Sequence, residues 1–122
     1  MSEGKSILKD KSFAFAVRIA KVYKHLSEVK KEYVLSKQLL RSGTSIGANI
    51  REANNGESTA DFIHKLAIAQ KETDETLYWL EILKSIDLLT KEEFDSLYAD
   101  AIAILKMIRS SILTLKKKKT NS

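Results

Sequence analysis

The chain has 122 residues, 43% apolar, 30% charged and a formal net charge of +5, which fits one domain with a core of its own and excludes a disordered segment. It holds no cysteine and no proline, so disulfides, thiolate metal sites and cysteine nucleophiles are excluded, and nothing in it forbids long helices. The tail Lys116, Lys117, Lys118 and Lys119 supplies four of the five net charges and leaves +1 elsewhere.

The first helix is expected over residues 11–31. Phe15, Ile19, Val22, Leu26 and Val29 repeat at a 4-3-4-3 spacing that lines one face. Phe13, Ala16, Ala20 and Tyr23 widen that face. The N-terminal MSEGKSILKDKSFAF has no long apolar core, and no apolar run of about 18 residues follows. A cytoplasmic protein without membrane contact is the expectation.

The second helix is predicted to start at Ser36 as N-cap and to stop at Asn54 or Asn55, with Leu39, Gly43, Ile46, Ile50 and Ala53 inward. It contains the chain's oddest stretch, RSGTSIGANIREANNGES, which puts Gly43 and Gly47 one above the other on a helical face. A phosphate loop needs a preceding strand and a G-x-x-x-x-G-K-[ST] or G-x-G-x-x-G spacing, and neither occurs here. Each interior glycine costs about 1 kcal/mol relative to alanine. Close approach of a large side chain such as Phe15, Tyr98 or Phe94 is the compensation the spacing predicts.

The third helix opens with Ser58 or Thr59 as cap and Asp61 in its first turn, and runs to about Ser85. Phe62, Leu66, Ala69, Thr73, Thr76, Leu80 and Leu83 form its inner stripe, broadened by Ile63, Leu77 and Trp79. The fourth begins at a Thr90 and Glu93 capping box. Phe94, Leu97, Ala101, Ile104, Ile108 and Leu115 face inward, and Ile102, Leu105 and Ile112 add a second stripe that predicts a subunit interface.

Connections of about four to six residues between such helices predict an all-α, antiparallel up-down-up-down four-helix bundle. It forms a single domain spanning 1–122, with an ordered core over about 10–115 and a basic tail over 116–122. Charge is uneven: residues 1–31 carry 8 Lys or Arg against 3 Asp or Glu, whereas residues 61–89 carry 3 against 6.

Chemistry-bearing constellations are sparse. His25 and His64 are the two histidines, and Asp61-x-x-His64 is the single near match to a di-iron bundle motif. No serine sits in a G-x-S-x-G elbow. Asn49, Arg51 and Glu52 flank the glycine face, and Gln70, Glu72 and Glu75 lie midway along the third helix. These polar sets are expected to pair between helices or subunits and fix register. No metal, cofactor, small-molecule substrate or enzymatic activity is expected.

The core S-I-x-x-N-I-x-E at Ser45, Ile46, Asn49, Ile50 and Glu52, with the run K-E-x-x-E-T-x-x-W-L at Lys71, Glu72, Glu75, Thr76, Trp79 and Leu80, resembles the bacterial four-helix-bundle proteins encoded by intervening sequences within 23S rRNA genes. The resemblance spans about Phe13 to Leu113. Members are often labelled S23 ribosomal proteins, a name that reflects gene location. The resemblance implies a ring-like homopentamer. It also implies kinship with the accessory variability proteins of diversity-generating retroelements, which bind nucleic acid and a reverse transcriptase through a basic surface.

Two functions follow as expectations. One is an accessory scaffold that contacts RNA or DNA through Lys5, Lys9, Lys11, Arg18, Lys21 and Lys24 of the first helix and through the lysine tail. With Phe13, Phe15 and Tyr23 assigned to the core face, no aromatic is expected among those lysines for base stacking, so backbone-driven contact is expected. The other is a protein-interaction oligomer with no nucleic-acid role, in which the tail is only a solubilising end.

Overall fold

The computed structural model describes residues 2–121, with side chains from 7 to 118. Four helices fill it: α1 (Ser2–Glu28), α2 (Leu35–Asn54), α3 (Thr59–Ser85) and α4 (Lys91–Asn121). Each packs on its sequence neighbours, and α1 closes the ring against α4 along a narrower seam. Contact register shows direction. On α2, Ser42 meets Thr76 and Glu52 meets Lys65 of α3, so the number rises on one helix as it falls on the other. Ser12 lies against Gly47 and Ile19 against Gly43, which gives the same reversal between α1 and α2.

The core is a continuous apolar column running from Leu8 through Phe15, Ile19 and Leu26 to Leu39, Ile46, Leu66, Leu80, Leu83, Leu97, Ile104 and Ile108, all buried. Fully burying side chains of this size contributes about 1.5–3 kcal/mol each. Buried polar groups are satisfied within it. Thr76 donates to Ser42 Oγ at 2.9 Å across α2 and α3, and Thr73 donates to the Ala69 carbonyl at 2.7 Å.

Helix ends explain where the expected boundaries move. α1 starts nine residues before Lys11, because Leu8 extends its inner stripe by another turn and is buried with Ser12. It stops at Glu28, which leaves Val29 outside the helix and exposed. Ser36 is not the N-cap of α2. It is buried inside the first turn, and the cap is Glu32, whose carboxylate accepts from the amides of Val34 at 3.0 Å, Leu35 at 2.9 Å and Ser36 at 2.7 Å. Burial pushes the Glu32 carboxyl up, but the hydrogen bonds from Leu35, Ser36 and Val34 outweigh it and hold the group below the usual carboxylate range.

The starts of α3 and α4 agree with expectation. Ser58 accepts from the Asp61 amide at 3.1 Å. Thr90 and Glu93 exchange their capping-box bonds at 2.8 and 3.1 Å. α3 ends with Asp87 at φ 62°, where the Leu88 amide reaches Leu83 O and the Asp87 amide reaches Lys84 O. α4 carries on through the lysines to Asn121. Lysine is a good helix former, so nothing in that stretch breaks the helix.

Two packing expectations are corrected. The compensation at Gly43 comes from Ile19 of α1, because α4 lies diagonally across from α2 and Phe94 and Tyr98 do not reach it. The second stripe of α4 is not left open for a partner: Leu105 and Ile112 are buried and Ile102 is half-buried within the chain itself. A helix packed against both α3 and α1 needs a stripe wide enough for two neighbours.

Candidate functional site

The glycine face of α2 is where two helices come close. A Cβ on Gly43 would stand 2.8 Å from Ile19 Cγ2, so the helix surface is thinned to admit that side chain. Gly47 sits one turn on, with Ser12 O at 3.4 Å from the place a Cβ would take. Beyond Gly47 the helices part into an open groove of about 480 Å³, lined on α1 by Lys9, Ser12, Phe13 and Ala16 and on α2 by Thr44, Gly47, Ala48, Arg51, Glu52 and Asn55. Phe13, expected to widen the core face, is instead 58% exposed. Its position is 100° round the helix from buried Ser12, the residue that takes the inward place.

The cations of α1 divide by face. Lys9, Phe13, Val17, Ala20 and Lys24 recur at steps of four and three, so they share the solvent side of the helix, with Lys21 beside them. Lys9, Lys11, Lys21 and Lys24 are exposed and form no ion pair with a described residue. Lys11 is on a different side of α1 from Phe13. Arg18 is engaged, since its guanidinium pairs with Asp100 at 2.5 Å and donates to Ser96 Oγ at 2.9 Å, bracing α1 to α4.

Lys116, Lys117 and Lys118 are exposed on the last turns of α4. With Arg18 opposite Asp100, these turns lie about 24 Å further along α4, toward the end of the bundle where α1 begins. Lys5 and Lys119 lie outside the residues whose side chains are described. Arg51, expected to fix register, borders the groove and has no ion-pair partner among the described residues. The signal was available: its i−3, i−4 and i−7 neighbours are Ala48, Gly47 and Thr44, so a long cation borders a face of small residues.

The motif residues brace α2 and join it to α3. Ser45 donates to Arg41 O at 2.6 Å, Asn49 donates to Ser45 O at 2.8 Å, and Ile46 is buried. Glu52 pairs with Lys65 of α3 at 2.7 Å. Arg41 reaches Glu72 at 3.3 Å and pairs also with Glu75, which accepts from Trp79 Nε1 at 3.0 Å. The carboxylates of α3 are therefore tied to α2 as the register reading anticipated. Among the described residues no three of His, Asp and Glu gather into a metal-binding group, and Asp61 and His64 stand without further ligands.

A second cleft of about 480 Å³ lies at the other end of the bundle, lined by His25, Lys30, Lys84, Asp87, Lys91 and Glu93 among others. Two of its charges are engaged, Lys91 by Asp95 at 2.7 Å and Glu93 by the Thr90 amide. Among the described residues no helix is long and apolar enough to cross a membrane.

A family profile described as 23S rRNA-intervening sequence protein matches residues 5–110. A crystal structure from Bacteroides thetaiotaomicron, described as a protein with unknown function from the S23 ribosomal protein family, is 53% identical, covers 89% of this chain and 97% of its own, and superposes with a TM-score of 0.88. No curated protein matches the chain.

Proposed function

The chain belongs to the family of 23S rRNA-intervening sequence proteins, and from that premise we propose that it is a non-enzymatic accessory protein of the bacterial cytoplasm that assembles with itself and binds nucleic acid. The observation that carries the reading is the set of exposed cations left without partners, Lys9, Lys21 and Lys24 along one side of α1 and Arg51 across the groove. Arg18, Arg41, Lys65 and Lys91, by contrast, are committed to carboxylates. Cations held away from carboxylates keep their charge for phosphates. Arg18, which the sequence reading grouped with the binding residues, acts as a brace in this scheme.

Self-assembly has separate support. Val29, Tyr33, Val34 and Ile86 are all at least half exposed, and they gather at the end where α1 passes to α2 and α3 to α4. Apolar side chains concentrated in that way favour a protein contact. The family resemblance implies five copies.

The test is binding of purified protein to structured RNA and duplex DNA across a salt series, beside a version ending at Leu115, with mass read by light scattering in the same buffers. Affinity that falls steeply with salt, and falls again on removal of the lysine turns, is the expected result. An oligomer that binds nothing at low salt would leave the family's rRNA label a matter of gene location and turn the reading to a protein-interaction oligomer.

A further inference from the structure

We propose that the groove between α1 and α2 is a stacking site for a base of single-stranded nucleic acid, with Phe13 as the platform and Lys9 and Arg51 as its phosphate contacts. The proposal rests on the nucleic-acid reading above and gives it a substrate class. Its starting point is the cost of Phe13: a ring 58% exposed forgoes most of the burial that a core position would give it. Phe13 lines two adjoining depressions, of about 480 and 290 Å³, and Lys9 and Arg51 line both. The ring is thus reachable from more than one side, with a cation on each helix beside it.

The rest of the groove suits a flat ring. Gly47, Ala48, Ala16 and Ser12 present little bulk, and Asn55 and Thr44 put polar groups at the rim. Of the two carboxylates nearby, Glu52 is drawn to Lys65 at 2.7 Å, and Asp10 borders the smaller depression alone. Base faces in a duplex are already stacked, so a site that works by an exposed aromatic selects unpaired strands. Lys9 and Arg51, unpaired among the described residues on either side of the ring, complement a phosphate-bearing strand, and a second copy of the chain is the competing occupant that the test separates.

The test uses fluorescence anisotropy of a labelled oligouridine strand and of duplex RNA, with the full chain and its Phe13→Ala, Phe13→Trp and Arg51→Ala variants. Tm and light-scattering mass are recorded for each. Wild type should prefer the strand. Phe13→Ala should weaken strand binding by about tenfold and leave duplex binding unchanged, whereas Phe13→Trp should keep or tighten it. Arg51→Ala should reduce the logarithmic salt slope on the strand by about 0.7.

Unchanged strand affinity in a folded Phe13→Ala protein overturns the stacking site while leaving the broader reading intact. A Phe13→Ala protein whose mass drops to the monomer also overturns it, because the groove would then seat a second copy. Wild type that binds neither strand nor duplex at low salt sinks the nucleic-acid reading and this proposal together.

Discussion

Ile19 decides the different fates of the two glycines on α2. A methyl at Gly43 would meet Ile19 Cγ2 at 2.8 Å and Cγ1 at 2.9 Å, and a β-branched side chain in a helix has little rotamer freedom with which to move away. Overpacking of this kind costs about 1–3 kcal/mol, against a helix-propensity gain of about 1 kcal/mol for alanine. Gly43→Ala should therefore lower stability by up to about 2 kcal/mol. At Gly47 the nearest atoms stand at 3.4 Å, ordinary contact, so Gly47→Ala should be neutral or raise stability by up to about 1 kcal/mol. Urea unfolding of both variants checks the pair, and equal effects would mean that the thinning of α2 has nothing to do with Ile19. The glycine face itself was legible in the sequence, since a spacing of four stacks two residues on a helix. Its partner was not, because spacing along α2 carries no information on which neighbouring helix lies across from it.

At the scale of the element, α2 depends on a residue outside it. Val34 is the N-cap by position and offers no side-chain acceptor, so Glu32 supplies the first turn with three amide contacts and favourable charge at the dipole's positive end. The folded-state pKa of Glu32 lies below its usual value. A depressed carboxylate contributes stability that is fully present above the unfolded pKa, about 4.3, and is lost as pH falls through the folded value. Glu32→Gln should cost about 0.5–2 kcal/mol at pH 7, and its deficit relative to wild type should shrink once pH drops below about 4. A deficit that stays constant from neutral to acid pH would show that the charge on Glu32 does nothing for the cap. Periodicity is enough to place all four helices, and the starts at Ser58 and Thr90 are legible because those caps are local and use the expected residue types. It missed the Glu32 cap, which sits two residues before the N-cap position, and it missed the inward turn of Ser12. A polar residue in the inner stripe shifted the reading toward Phe13, one position and 100° away.

The whole molecule is a ring of four helices whose seams are unequal. α2 packs broadly on α1 and α3, and α3 on α4, whereas α1 and α4 share a narrower seam with Arg18 reaching across it to Asp100 and Ser96. A narrow seam carries little buried area, so the bundle should open there first. Amide hydrogen exchange should accordingly be slowest in the middle of α2 and α3, where Ser42 and Thr76 also join the helices, and faster toward the start of α1 and the last turns of α4. The Arg18 and Asp100 side chains are 40% and 48% exposed, so solvent screening limits their pair to about 1 kcal/mol or less. Arg18→Ala should then speed exchange in α1 and α4 by no more than about fivefold and leave α2 and α3 at their wild-type rates. Uniform acceleration of all four helices would instead make the bundle one cooperative unit, with the closing seam no weaker than the others. A seam that opens independently would bear on function directly, since it lets the cation-bearing α1 adjust against the bundle while α2 keeps the floor of the groove in place.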